Sequence, residues 1–249
     1  MIKYIKKILP VICWIIIWQI LALIINNDIL LAGPIETVRA LIGLSFTADF
    51  YRSILSSLVR ILLGFVLGVS FGILLGFLSS QFNIIREFLK PIFLLMRSVP
   101  VASFVIILLI WLGNKNTSIF ICMIVTMPVL YHDSLEGIDA TDSNLLEMCK
   151  VYNVGLKKKI HYVYFPQLYP FLLAAMKLAV GMSFKSGVAA EVIGQPLNTM
   201  GNGLYLSKIY LETDELFAWT IAIVVLTAIV EKIVLFILNL MKPGGDVDD

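Results

Sequence analysis

The sequence predicts an all-α polytopic membrane protein with about six transmembrane helices. Of its 249 residues, 59% are hydrophobic and only 14% are charged, and the mean hydropathy is +0.94. Soluble domains carry roughly 25% charged residues, so this composition does not provide enough polar surface for a water-exposed fold. Long apolar runs separated by short polar segments recur along the chain, which is typical of helices that cross lipid.

Six apolar segments carry this prediction, and together they form a single transmembrane domain over residues 1–249. They lie at about residues 8–26, 54–78, 84–112, 116–131, 167–190 and 217–240. Each except the fourth is near or above the ~20 residues that a helix needs to cross the hydrocarbon. The third segment contains Pro100, which removes a helical hydrogen bond and predicts a kink or a re-entrant bend there.

The distribution of lysine and arginine predicts the orientation. With the N-terminus in the cytoplasm, inner segments hold ten of these residues and outer segments hold four. This asymmetry favours a multi-pass protein of the cell membrane with both termini cytoplasmic. The outer connection 27–53 reads as a turn followed by a short amphipathic helix, and the glycine-containing outer segment 192–216 reads as irregular. Residues 132–166 form the one sizeable inner loop.

Several functions are disfavoured by composition and motifs. The net charge of +2 argues against nucleic-acid binding. Cys13, Cys122 and Cys149 lack paired or ligand spacing, and His132 and His161 belong to no ligand motif, so no metal site is predicted. The chain has no Gly-x-x-x-x-Gly-Lys-Ser/Thr phosphate loop, so we expect no cofactor and no ATP hydrolysis in this chain.

The second segment carries glycines at a strict spacing of four, which places them on one helix face. They are Gly64, Gly68, Gly72 and Gly76. Such a stripe of small residues lets another helix approach closely, so we expect helix packing, with a pore lining as the alternative. Charges in the fifth segment, including Lys177 and Lys185, indicate either an ion pair or snorkelling, or a polar lining along a solute path.

The inner loop predicts a helix–turn–helix hairpin. Asp142 or Ser143 can cap a short helix over residues 145–152, and Asn153 and Gly155 tolerate the left-handed backbone that ends a helix. A second amphipathic stretch is expected to stop before Pro166. The first helix has an apolar face made of Leu145, Leu146, Met148, Cys149 and Tyr152. Such a face suits either a partner or the chain's own helix ends.

This hairpin resembles the coupling motif of ABC importer permeases, which reads Glu-Ala-Ala, three residues, Gly, nine residues, Ile-x-Leu-Pro. Residues 147–149 match its start, Asn153 lies at the glycine, Val163 at the isoleucine, and Phe165 with Pro166 at Leu-Pro. Met and Cys replace two alanines. Segments 31–36, 56–65, 97–100, 190–194 and 201–205, in this order, are similar to type I permeases of the nitrate/sulfonate/taurine group.

The resemblance implies a type I ABC importer permease with three kinds of partner. These are ABC ATPase subunits that bind the ATP, an extracytoplasmic solute-binding protein, and a second permease copy, expected to be identical, beside membrane lipid. The residues expected to couple to the ATPase are Leu145, Leu146, Glu147, Met148, Cys149, Tyr152, Asn153, Gly155 and Pro166.

The resemblance also places a solute path between the two copies. The candidate path or gate residues are Arg97, Pro100, Met182, Ser183, Lys185 and Glu191. A cationic Lys185 would suit an anionic solute, unless an acid pairs with it. A secondary transporter or channel that works without an ATPase, and a membrane scaffold, are the alternative classes.

Overall fold

A computed structural model describes residues 2–242, with side chains from residue 9 onward. Within these residues the chain forms eleven α-helices and one π-helical turn, and no strand. The helices are α1 (Ile2–Ile25), α2 (Pro34–Ser45), α3 (Ala48–Gln81), α4 (Asn83–Ser98), α5 (Val101–Leu112), α6 (Thr117–Asp139), α7 (Ser143–Val151), α8 (Leu156–Lys159), α9 (Phe165–Gly194), α10 (Met200–Tyr210) and α11 (Thr213–Leu240).

Four stretches of helix are long and apolar enough to cross a membrane: α3, α6, Leu156–Gly194 and α11. Helices α4 and α5 make a fifth candidate span if they are taken as one bent helix. The described apolar part of α1, Leu9–Ile25, is shorter. The chain is therefore a polytopic all-α membrane protein, as the sequence predicts.

The chain divides into two compact units. The first unit joins residues up to 58 with residues 195–226, and the second joins residues 59–194 with residues 227 onward. In the first unit, Thr213 Oγ1 donates a hydrogen bond to the Ile29 carbonyl at 2.6 Å and Trp18 Nε1 donates to the Ala32 carbonyl at 3.0 Å. These bonds attach the turn between α1 and α2 to α1 and to the start of α11.

The second unit is organised by a close contact between α3 and α6. If Cβ atoms were added at Gly64, Gly68, Gly72 and Gly76, they would lie 2.7–2.9 Å from the Cβ atoms of Cys122, Thr126, Leu130 and Ser134. Real side chains do not approach this closely, so only glycine allows the two backbones to meet here. Both sets of positions advance by four residues, so α3 and α6 run in the same direction.

This parallel contact decides how α4 and α5 connect the two helices. The beginning of α6 lies beside Gly64, whereas α3 ends at Gln81. The pair α4–α5 must therefore bring the chain from the end of α3 back to the level of Gly64. A broken span that crosses the membrane does this, whereas a re-entrant loop returns to the side from which it entered. The helices meet at an angle of 103°, with the break at Val99 and Pro100 where the sequence predicts it.

Helix α9 covers another side of α6 in the opposite direction. Gly137 near the end of α6 faces Leu168 near the start of α9, whereas Cys122 faces Gly187 further along it. Val105, Leu108, Ile121 and Ala190 add an apolar cluster between α5, α6 and α9. Helices α6 and α9 each have twelve buried residues, and α6 is the shorter of the two, so a larger share of it is enclosed.

Helix α6 continues to Asp139, beyond residue 131 where the predicted span ends, and its last residue pairs with Arg86 of α4 at 3.0 Å. Two expectations about secondary structure are wrong. The segment 192–216 is largely helical, since it contains α10. Gly203 does not interrupt that helix, because it leaves room for the Trp219 ring, 2.5 Å from where a Cβ would be.

The second wrong expectation is the stop before Pro166, because the helix continues through that residue. The turn Ile160–Tyr164 is π-helical, and the Phe165 N–H donates to the Ile160 carbonyl. A π turn displaces the hydrogen-bond ladder by one residue, which accommodates a residue that has no N–H and a bulky ring. Helices α8 and α9 therefore form one continuous structure over Leu156–Gly194.

The glycine contact predicts a sharp dependence on side-chain size. We expect Gly68→Val to abolish the accumulation of folded protein or to lower its unfolding temperature strongly, because the new side chain would meet Thr126 and the Met123 carbonyl. Thermal unfolding of the detergent-purified protein measures this. Gly43→Ala is the control, since nothing lies within 4 Å of its added Cβ, and it should be neutral or stabilise by about 0.5–1 kcal/mol. Equal unfolding temperatures for both variants would contradict the contact.

Candidate functional site

The inner hairpin begins with a capped helix. The Asp142 carboxylate accepts a hydrogen bond from the Asn144 N–H at 2.8 Å, and so satisfies one of the free amides at the start of α7. This is the first of the two capping residues that the sequence predicts. The carboxylate also lies at the positive end of the helix dipole, which adds to the stability of this short helix.

The end of α7 has the hydrogen bonds of a Schellman motif. Asn153 has φ +49°, its N–H donates to the Lys150 carbonyl at 3.2 Å, and the Val154 N–H donates to the Cys149 carbonyl at 2.9 Å. The motif needs one left-handed residue, for which glycine is best and asparagine next. Asn153 therefore adopts the left-handed conformation expected of the glycine in the motif that this segment resembles.

Gly155 does not share this role, which corrects the expectation that it also supplies a left-handed position. Its φ is −62° and its ψ is 149°, an extended conformation that precedes α8. Any residue adopts this backbone, so Asn153 alone ends α7 and Gly155 starts the next helix.

The expected apolar face of α7 is divided between two environments. Cys149 is buried with 4% exposure, and Leu145 and Leu146 are partly buried. Met148 and Tyr152, at 48% and 75%, are exposed. The exposed apolar surface also includes Val151 and Leu156, which sequence reasoning missed although Val151 lies three residues after Met148 on the helix.

Basic and acidic side chains border this exposed surface. Glu147, Lys150, Lys157 and Lys158 are exposed, and Lys159 lies with its Nζ 5.2 Å from the centre of the Tyr164 ring. An apolar patch with a charged rim is the composition expected of a protein-docking surface. We refer to Glu147, Met148, Val151, Tyr152 and Leu156 as the hairpin surface.

The six path candidates are placed in three settings. Ser183 and Glu191 are buried, with 1% and 0% exposure. Met182 and Lys185 lie on the exposed side of α9, and Pro100 is exposed at the break between α4 and α5. Arg97 donates from Nη2 to the Pro128 carbonyl at 2.9 Å and so ties the end of α4 to α6. Their role in a solute path stays a prediction.

Ser183 takes part in a buried polar contact between α6 and α9. Its hydroxyl lies 2.6 Å from the Thr126 hydroxyl, and its carbonyl accepts from the Cys122 thiol at 3.3 Å. Cys122 and Thr126 are also the residues that Gly64 and Gly68 contact. The same turn of α6 therefore packs tightly against α3 and hydrogen-bonds to α9.

A cavity of about 370 Å³ lies between the polar face of α4 and the end of α6. Arg86 and Asp139, which pair at 3.0 Å, line this cavity. Phe93 and Tyr131 also line it, and their rings stack with 4.0 Å between the ring centres. The sequence holds a signal for this face, because Arg86, Lys90 and Arg97 recur at helical spacing. Charged residues there make α4 amphipathic rather than uniformly apolar.

His132 at the rim of this cavity faces two carboxylates. Its Nδ1 lies 3.5 Å from Asp133 and its Nε2 lies 3.3 Å from Glu136. Ligand atoms of these three residues fall within 4.8 Å of one another, the best candidate group for a metal ion in the described part of the chain. Each imidazole nitrogen already faces its own carboxylate, however, which is the geometry of an exposed ion-pair cluster.

These features define a helical membrane transport protein: a tightly packed span bundle, a broken span beside it, and an exposed hairpin between two spans. The profile of the binding-protein-dependent transport system inner membrane component family matches residues 68–244. The chain belongs to this family, and the match includes most of the glycine contact and the whole hairpin.

Curated relatives agree along most of the chain. The putative aliphatic sulfonates transport permease protein SsuC of Bacillus subtilis is 25% identical over 221 residues, covering 88% of this chain and 79% of the relative. The nitrate import permease protein NrtB of Synechococcus elongatus is 26% identical over 248 residues, covering 86% and 88%. The taurine transport system permease protein TauC of Escherichia coli is 24% identical over 223 residues, covering 86% and 80%.

Two solved structures share the fold. A chain of an amino acid ABC transporter superposes with a TM-score of 0.60 at 18% identity, over 80% of this chain and 94% of that one. A chain of a bacterial alginate ABC transporter, solved with an alginate-pentasaccharide-bound periplasmic protein, superposes with a TM-score of 0.62 at 16% identity over 96% of each chain.

The Thr126–Ser183 contact predicts a measurable coupling between α6 and α9. We expect Thr126→Val and Ser183→Ala each to lower the free energy of unfolding by about 1 kcal/mol, and the double variant to lose less than the sum, because each single change leaves a buried hydroxyl without its partner. Denaturation of the purified protein measures the cycle. Additive losses would show that the two hydroxyls do not interact; Thr220→Val, whose hydroxyl bonds within its own helix to Leu216, is the control.

Proposed function

We propose that the chain is the permease subunit of an ATP-driven importer for a small anionic or polar solute of the nitrate, sulfonate or taurine kind. An external binding protein delivers the solute, and separate ATPase subunits bind and hydrolyse ATP. Two identical permease copies enclose the path, with both chain termini in the cytoplasm. The relatives named for sulfonate, nitrate and taurine transport support the solute class.

The exposed hairpin surface carries this proposal. Helix α7 is capped at both ends, so it is rigid, yet it presents Met148, Val151 and Tyr152 to the outside. A water-exposed apolar surface on a short loop indicates a partner. A secondary transporter or channel works without an ATPase subunit, so it would not need a docking surface of this kind.

The connections of the hairpin suggest how movement is passed on. Helix α7 follows α6 after a short turn, and α8 continues directly into α9 through the π turn. A displacement of the hairpin surface would therefore reach the two helices that hold the Thr126–Ser183 contact. In the proposed cycle, closure of the ATPases moves residues 140–155 as a lever and repacks these spans into the outward-open state.

If the ATPase docks on this surface, adding a charge to it or truncating one of its apolar side chains should weaken the association. We expect Val151→Glu or Tyr152→Ala to reduce both the association of the ATPase subunit and solute uptake by about tenfold or more, because each removes a large apolar contact of an interface. Co-purification and transport in reconstituted vesicles measure both. Leu197→Ala is the control, since Leu197 is equally exposed at 79% but lies in the segment predicted to be outside.

Normal association and uptake in the hairpin variants, or after substitution of Glu147 or deletion of residues 145–153, would contradict the proposal. Loss of uptake with normal ATPase association would instead assign the hairpin surface to a step of the transport cycle that follows binding of the ATPase. Co-purification of the wild-type chain with an ATPase separates the importer from a secondary transporter and from a scaffold.

An anionic solute predicts a role for the exposed lysine of α9. We expect Lys185→Gln to lower uptake about tenfold without changing the unfolding temperature, because a charge-assisted hydrogen bond to a solute contributes about 1.5–3 kcal/mol. Lys208→Gln is the control, an exposed lysine of α10 that is not among the path candidates. Equal uptake by both variants would exclude Lys185 from the path.

A further inference from the structure

An acidic pocket lies within the first unit, on the segments predicted to be outside. It has a volume of about 310 Å³, enough for one or two side chains. Its walls come from the start of α3, from α10, and from the start of α11. The residues that bear on its chemistry are Asp49, Ser53, Asn202, Glu212, Glu215 and Trp219.

The charge of this pocket is strongly negative. Asp49, Glu212 and Glu215 all line it. In the described part of the chain, neither glutamate side chain forms an ion pair, and Asp49 pairs only with Arg52 at 3.3 Å, where both side chains are more than 70% exposed. An exposed pair of this kind contributes little to stability, so a partner can displace it.

The ordinary reading of these acids is stabilisation of a helix end. Asp214 and Glu215 lie in the first turn of α11, where the helix dipole favours a carboxylate. The same dipole acts on Glu212, which directly precedes the helix and whose carbonyl accepts a hydrogen bond from the Leu216 N–H at 3.0 Å. That reading leaves two polar groups of the pocket wall unexplained.

Those two groups are donors on largely buried side chains that line the pocket and have no hydrogen-bond partner among the described residues. Ser53 is 8% exposed and Trp219 is 6% exposed, and both line the pocket. Within residues 9–242, neither the Ser53 hydroxyl nor the Trp219 indole N–H makes a hydrogen bond, although the Trp219 ring is held by Phe50 at 4.9 Å and by Gly203. Neither donor is among the fully buried, unpartnered side-chain atoms of the described residues, so water in the pocket can reach both, and a ligand with an acceptor can replace that water.

We propose that this pocket receives a lysine or arginine side chain of the external solute-binding protein, together with an adjoining carbonyl of its backbone. The carboxylates bind the cation, and the Trp219 N–H and Ser53 hydroxyl donate to the carbonyl. This inference rests on the proposed function, because it specifies how the binding protein docks.

Charge complementarity favours a protein over a free cation or a lipid. The two outer connections that supply the pocket, 27–53 and 192–216, contain six acidic and three basic residues, so these segments are acidic as a whole. A free metal ion would leave the indole N–H unused, since that group is a donor only. An anionic lipid headgroup would be repelled. A basic protein surface satisfies both the carboxylates and the donors.

The test compares binding affinities of the external protein for the permease–ATPase complex in nanodiscs. The probe is a purified external solute-binding protein of the nitrate, sulfonate or taurine class from the same organism. We expect Glu212→Gln/Glu215→Gln to raise Kd about tenfold or more at low salt, and the difference to shrink at about 0.5 M salt because exposed charges are then screened. Asp28→Asn/Glu36→Gln is the control, with the same change of charge outside the pocket, and should change Kd less than threefold.

A second variant separates occupation of the pocket from general attraction. Trp219→Phe keeps an aromatic ring and removes only the N–H, so it should weaken binding several-fold at both low and high salt. Glu215→Lys should be rescued by a Lys→Glu or Arg→Glu change at one position of the binding protein, which would identify the inserted residue.

The outcomes separate this inference from the proposed function. If the wild-type complex binds the external protein and the pocket variants bind it equally well, the inference is overturned and the importer stands. If the control variant weakens binding as much as the pocket variant, the attraction is general and the pocket is not occupied. If the wild-type complex does not bind the external solute-binding protein at all, both the proposed function and this inference are overturned.

Discussion

The close approach of α3 and α6 is the contact on which the second unit depends. In lipid, helices gain nothing from leaving water, so association relies on van der Waals contact between backbones that come near each other. Gly64, Gly68, Gly72 and Gly76 provide that approach over three turns. The parallel direction it imposes then requires the bent pair α4–α5 to cross back, and leaves other sides of α6 for α5 and α9.

Helix α6 connects this packed core to the hairpin surface, on which we propose that the ATPase docks. Its middle carries Thr126, which contacts Gly68 on one side and Ser183 on the other. Its end leads through a short turn into α7, whose two ends are held by Asp142 and Asn153. A rigid hairpin joined directly to a rigid, enclosed helix can transmit displacement, whereas a flexible loop would absorb it.

Charge distinguishes the two ends at which we place partners. The hairpin is rich in lysine around an apolar surface, whereas the outer connections 27–53 and 192–216 are acidic around a pocket that holds two donors unbonded by any residue that the structure describes. Electrostatic complementarity of this kind selects partners and speeds their encounter more than it adds affinity. An ATPase and a binding protein would then be told apart by opposite surface charges as well as by the side of the membrane they occupy.

The sequence alone determined the membrane class, the glycine face, the break at Pro100 and the left-handed role of Asn153, because each depends on local composition, spacing or backbone preference. It could not show which helix the glycines meet, that α6 continues to Asp139, or that a π turn carries the helix through Pro166. The tertiary structure decided which helix the glycines meet, because that depends on residues such as Thr126 on the other side of the contact. The full length of α6 and the π turn are visible only in the backbone hydrogen bonds of the structure. The pocket around Trp219 likewise exists only because residues distant in sequence converge, and no motif marks it.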